Sequence, residues 1–126
     1  MPRARAARRT RLIAGGAVIG CLAAGLSLQL VDRSPAIDLL GSVLYAALIG
    51  FAVLLVAPVA PPWVPAAVAF AAAAVIEGLQ LTPLPAAISA VVPGAHLVLG
   101  SAFDPWDLAA YAVGALVVWV VAHFAR

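Results

Sequence analysis

The chain has 126 residues, of which 66% are hydrophobic and only 10% charged, with a formal charge of +2. Soluble domains carry about a quarter of their residues as Asp, Glu, Lys and Arg, so this composition excludes an ordinary soluble fold and reads as one integral membrane domain. There is no lysine, and five of the seven arginines stand among the first eleven residues, which argues against a diffuse basic surface for nucleic acid.

Arg3, Arg5, Arg8, Arg9 and Arg11 form a basic tail, 1–11, ahead of an uncharged run, 12–31. About 20 helical residues cross the roughly 30 Å hydrocarbon core, so that run spans alone and its arginines hold the N-terminus in the cytoplasm. A cleaved signal peptide, or a lipobox at Val18–Cys21, would require a polar segment after the cut, where apolar sequence continues instead. The lone Cys21 has no partner for a disulfide or a metal motif. Gly16 and Gly20 make a GxxxG step suited to close packing by another helix.

Ser34-Pro35 suits an N-cap and first helical position for a second span, 35–57. Asp38, Ser42 and Tyr45 recur on one of its faces, although Asp38 also suits the helix N-terminus and Tyr45 suits packing. Four prolines, Pro58, Pro61, Pro62 and Pro65, then make a turn on the cytoplasmic side, with Trp63 placed for the interface. The third span, 65–81, carries Glu77 near its C-terminal end, where the helix dipole disfavours an acid. A carboxylate in such a run needs a partner from protein or water, and Gln80, three residues on, is placed to share a hydrogen-bond network with it.

Prolines and Pro93-Gly94 interrupt 82–101, which reads as an external loop with a short interfacial or re-entrant helix at 86–92. His96 lies in it and suits a surface position better than a ligand. Asp104-Pro105-Trp106-Asp107 has the layout of N-cap to N3 for a fourth span, 105–124. Asp107, Tyr111 and Gly114 share a face of that helix, with Gly114 small enough for close packing. The expected fold is therefore an all-α integral membrane protein: one domain, 12–126, of four transmembrane helices with both termini cytoplasmic. All five acids then fall at the outer end, and Asp38, Tyr45, Glu77, Gln80, His96, Asp107 and Tyr111 converge on an external vestibule.

Leu40-Gly41-Ser42-Val43-Leu44-Tyr45-Ala46, Ile76-Glu77-Gly78-Leu79-Gln80-Leu81, and Leu99-Gly100 followed by Phe103, Trp106-Asp107-Leu108, Tyr111 and Gly114 resemble the DUF2809 family. Its members are small bacterial membrane proteins of unknown function, distantly similar to VanZ-like proteins. The resemblance covers about 37–114. Two departures stand out: Ser42 occupies a position where the family pattern has an acid, and 86–96 lacks the arginine found in the family loop. If that arginine partners the buried acid in relatives, Glu77 needs another donor here. The VanZ-like likeness implies a cell-envelope setting, associated with glycopeptide-antibiotic tolerance, in the bacterial inner membrane.

Four functions compete. An outer acidic site would bind the polar head of a lipid or lipid-linked precursor, or a cationic amphiphile. An interaction or assembly subunit would use its Gly/Ala faces against a membrane-protein partner or a second copy. Catalysis or proton-coupled transport lacks a nucleophile with its base and lacks acids in the inner half. A hard-cation site would draw on Glu77, Asp104, Asp107 and His96, but the spacing names no metal, and no cofactor motif is recognised. Membrane lipids are the expected partners.

Overall fold

Two helix caps set where the chain turns, and the computed structural model, which describes residues 1–99 and 103–126, forms both as the sequence dictates. Ser34 accepts from the Ile37 N–H at 3.2 Å, and Pro35 opens the helix behind it. Asp104 accepts from the Trp106 N–H at 3.0 Å, and Pro105 occupies the corresponding place. Each cap satisfies a donor that the first helical turn would otherwise leave without a partner.

Among the described residues six helices result: α1 (Pro2–Leu28), α2 (Pro35–Val56), α3 (Trp63–Leu79), α4 (Leu84–Val91), α5 (Ala95–Leu99) and α6 (Pro105–Phe124). The N-terminal arginines belong to α1 rather than to a separate tail. Proline at the first position and an Ala/Arg-rich run are both compatible with helix, so nothing breaks α1 before Leu28. The third span begins and ends two residues earlier than its composition suggests, at Trp63 and Leu79. Instead of one short helix at 86–92 there are two, separated by a turn in which Gly94 takes φ +80°. α4 bends away from α3 by 91°.

α1, α2 and α6 are long and apolar enough to cross a membrane, and α3 with α4 makes a fourth crossing if the bent pair counts as one span. α2 lies at the centre and packs on α1, α3 and α6, while α6 also packs on α3. α2 and α6 run parallel: Ser42 meets Asp107, Ala46 meets Gly114, and Gly50 meets Val118. At the N-terminal end of this pair lie Asp38, Asp104 and Asp107, with Glu77 brought up by the end of α3; we call it the acid end. At the opposite, arginine end, Thr10 of α1 bonds the Ala125 carbonyl at 3.4 Å, and Arg126 donates to the Ala60 carbonyl between α2 and α3.

The core beneath the acid end is built from small and branched side chains. Ala14, Ala47, Phe51, Leu54, Val118 and Ala122 form one buried cluster. Gly114 is needed where α6 crosses α2, because a Cβ there would lie 2.5 Å from the Val43 carbonyl oxygen and 2.9 Å from the Ala46 Cβ. Small residues that let backbones approach are the usual basis of helix packing in lipid, where burial of apolar surface gives no drive for association. Gly16 and Gly20 differ: no atom of another helix comes within 4 Å of the Cβ each would carry. The expected close approach on that step is therefore absent among the described residues, because α2 packs on the face of α1 that carries Ala14, Ala17, Val18 and Cys21.

Candidate functional site

Glu77 is the one fully buried acid, at 0% exposure, and its position on α3 explains little until α6 is considered. Its Oε1 accepts from the Asp104 backbone N–H at 2.6 Å, and its Oε2 accepts from the Tyr111 hydroxyl at 2.8 Å. The C-terminal end of its own helix disfavours the acid, but the N-terminus of α6 faces it and favours it. In a capping box the acid three residues past the cap reaches back to the cap residue's N–H. Here that acid would be Asp107, and Glu77 supplies the bond from another helix instead.

Asp107 is thereby released to serve elsewhere. The Ser42 hydroxyl lies 3.0 Å from Asp107 Oδ1 and 3.1 Å from the Asp38 carbonyl oxygen, so its one proton is shared between two acceptors. Asp38 is held by Arg33 at 3.2 Å, and the same guanidinium donates to Gln29 Oε1 at 2.9 Å. Arg33 thus ties the end of α1 to the start of α2. Both partners of the ion pair are more than half exposed, so it orients the groups more than it stabilises the fold.

These residues surround a recess of about 620 Å³ at the acid end. Asp38, Tyr45, Gln80, His96, Asp107 and Tyr111, all singled out by the sequence, line it together. Tyr45 and Tyr111 lie side by side, with ring centroids 6.1 Å apart and planes inclined by 53°. Glu77 does not line the recess; it lies behind Tyr111 as a support. Gln80 is not its partner either. The Gln80 amide nitrogen donates to the Leu99 carbonyl, and its Oε1 is buried without a hydrogen bond among the described residues. The Glu77 network therefore runs across to α6, because the start of α6 offers donors that face Glu77 directly.

Gln29, Arg33 and Ser42 are wall residues not expected as site residues. Ser42 was legible as a member of the Asp38 face of α2. Gln29 and Arg33 were not, because their approach depends on where α1 stops and turns. Three carboxylates, those of Asp38, Asp104 and Asp107, face the recess against the single guanidinium of Arg33. Among the described residues no three His, Cys, Asp or Glu side chains come together as metal ligands. The arrangement can accept hydrogen bonds from a cationic group and offer it the partly exposed ring of Tyr45.

Among the described residues every regular element is a helix, three of these helices are able to cross a bilayer, and most large apolar side chains turn outward, as in a membrane protein. The model of the family described as "Protein of unknown function (DUF2809)" matches residues 31–115, and the chain belongs to that family. A comparison with curated proteins and one with solved structures gave no match. The matched stretch contains every residue of the Glu77 network and most of the recess wall. It leaves out all of α1 and the residue that caps its C-terminal end, Gln29.

Proposed function

We propose that this protein is a multi-pass protein of the bacterial inner membrane that binds an amine-bearing polar head group in the recess at its acid end, from a lipid, a lipid-linked precursor or a cationic amphiphile. The observation that carries the reading is Asp107: a carboxylate on the recess wall, partnered by the neutral Ser42 hydroxyl and set near the paired rings of Tyr45 and Tyr111. An ammonium group would complete its coordination. In this reading α3 and α4 complete a fourth crossing, both termini are cytoplasmic, and the recess opens outward. The skew of arginines supports that orientation, since six of seven sit at the end opposite the acids. A distant VanZ-like kinship fits the same envelope setting.

The test is mass spectrometry of lipids retained by the wild type and by Asp107→Asn, with retained helicity checked in both. The reading expects an amine-bearing lipid enriched on the wild type and lost from the variant. Identical lipid profiles would remove it. The orientation is tested separately with introduced cysteines: one at Pro93 should react with a membrane-impermeant thiol reagent added outside, and one at Pro61 should not. The reverse pattern rejects the topology.

A second reading, an assembly subunit, is favoured by α1. Only 6% of its most apolar stretch is buried, and among the described residues nothing from another helix comes within 4 Å of a Cβ placed at Gly16 or Gly20. A second copy of the chain or another membrane protein would pack there.

A further inference from the structure

The arginine end holds a cavity that the acid-end reading does not use. About 460 Å³ in volume, it lies between the first turns of α1, the turn after α2 and the end of α6. Its walls are apolar, formed by Ala6, Ala7, Pro58 and Val59, and Thr10 closes it as a side chain only 2% exposed. Two cations flank it, Arg3 and Arg126.

Arg3 differs from the other arginines of α1 in its helical phase. Arg3, Ala6, Ala7 and Thr10 fall at i, i+3, i+4 and i+7, the spacing of one helix face. The same face continues through Ala14, Ala17, Val18 and Cys21, which pack into the bundle. Arg5 lies on the opposite side of the helix and Arg9 flanks the face, and neither lines the cavity. Arg126 comes from the other wall, and its guanidinium is steered over the turn after α2 by its bond to the Ala60 carbonyl. All five acidic side chains of the chain lie at the far end of the bundle, so no Asp or Glu side chain pairs with these two arginines.

We infer that this cavity is a binding site for one anionic phospholipid, with the phosphate held between Arg3 and Arg126 and the start of the acyl chains laid against Ala6, Ala7, Pro58 and Val59. Guanidinium groups suit the occupant because they donate paired hydrogen bonds to phosphate oxygens. The apolar wall suits it because the ligand continues as hydrocarbon. Free phosphate would use the arginines and leave that wall idle. A merely diffuse attraction of a basic helix to an anionic surface would draw equally on Arg5 and Arg9, and the geometry does not treat them equally.

The full chain, purified in a neutral detergent to remove any surface potential, is titrated with dioleoylphosphatidylglycerol or dioleoylphosphatidylcholine and read by native mass spectrometry. One phosphatidylglycerol should be retained in preference to phosphatidylcholine. Arg3→Gln and Arg126→Gln should each weaken retention by about fivefold, the worth of one arginine against an anionic lipid, while Arg5→Gln and Arg9→Gln leave it unchanged. Ala7→Phe, which fills the cavity without altering charge, should also abolish the preference, and it keeps the test decisive if loss of the Arg126 bond unsettles the bundle. Equal losses for Arg5→Gln and Arg9→Gln, equal retention of the two lipids, or undiminished retention by Ala7→Phe would each overturn the inference.

Discussion

The parallel seam between α2 and α6 solves one problem in two ways. Toward the acid end its contacts are directional: Ser42 with Asp107, Tyr45 beside Tyr111, and Tyr111 on to Glu77 of α3. Toward the arginine end they are shape alone, with Ala47, Phe51 and Leu54 against Val118 and Ala122. Each half has a glycine at its closest approach, Gly114 in the first and Gly50 in the second. In lipid, apolar side chains gain little by leaving hydrocarbon for protein, so shape holds two helices together while leaving sliding inexpensive. Hydrogen bonds between named atoms fix the register, and the half of the seam that has them is the half that carries the recess.

The comparison breaks most completely at Gly114. Its missing Cβ faces backbone, the Val43 carbonyl oxygen and the Ala47 nitrogen, which cannot rotate aside. Gly114→Val should therefore separate α2 from α6 near the recess at a cost of about 3 kcal/mol or more, by analogy with overpacked cores. A reversible unfolding titration in mixed micelles would measure it. Gly50 is just as tight, with a Cβ 2.6 Å from a Val118 methyl, but its neighbour is a side chain. Gly50→Ala should cost about 1–2 kcal/mol, and most of it should return in Gly50→Ala/Val118→Ala. No such rescue is available to Gly114, so equal behaviour at the two glycines would erase the distinction between the halves.

Glu77→Gln tests the directional half. A carboxamide has one acceptor oxygen for two donors, the Asp104 N–H and the Tyr111 hydroxyl. One donor then meets an NH₂ group, and a buried donor without an acceptor costs about 1–3 kcal/mol. Tyr111→Phe removes a donor but leaves Glu77 its backbone bond, and should cost about 0.6 kcal/mol, the mean for interhelical hydrogen bonds in a membrane. If Tyr111→Phe proved the more damaging, the backbone bond from α6 would not be what holds Glu77.

Much of this was readable before any coordinates, for a physical reason. Ser34-Pro35 and Asp104-Pro105 act over three residues, so a local rule suffices to place both helix starts. Gly114 was readable from its spacing with Asp107 and Tyr111, which had to share its face. Glu77 was readable as a misfit, because its own helix offers a carboxylate nothing. What resolves the misfit was not readable: the partners come from α6, and choosing them over Gln80 depends on how α3 and α6 pack. Gly50 went unnoticed because only the parallel pairing of α2 with α6 brings Val118 onto it. The N-terminal arginines read as a tail because charge was weighed ahead of helix propensity, and that choice hid the inward phase of Arg3.

The smallest effect is expected at Gly16 and Gly20, which the fold leaves bare. Gly16→Leu and Gly20→Leu add side chains where no other helix approaches, so they should change the stability of the single chain by less than about 0.5 kcal/mol. Replacing glycine in a helix interior even improves propensity, so a small gain is compatible with the structure. The informative readout is association. Cross-linking in native membranes, compared between wild type and Gly16→Leu/Gly20→Leu, should show a species lost on substitution if α1 packs against another chain. If the wild type cross-links through α1 and the double variant does not, the step serves an assembly that the monomer cannot display. If both behave alike, α1 faces lipid, and the acid-end recess stands as the better account of what the protein does.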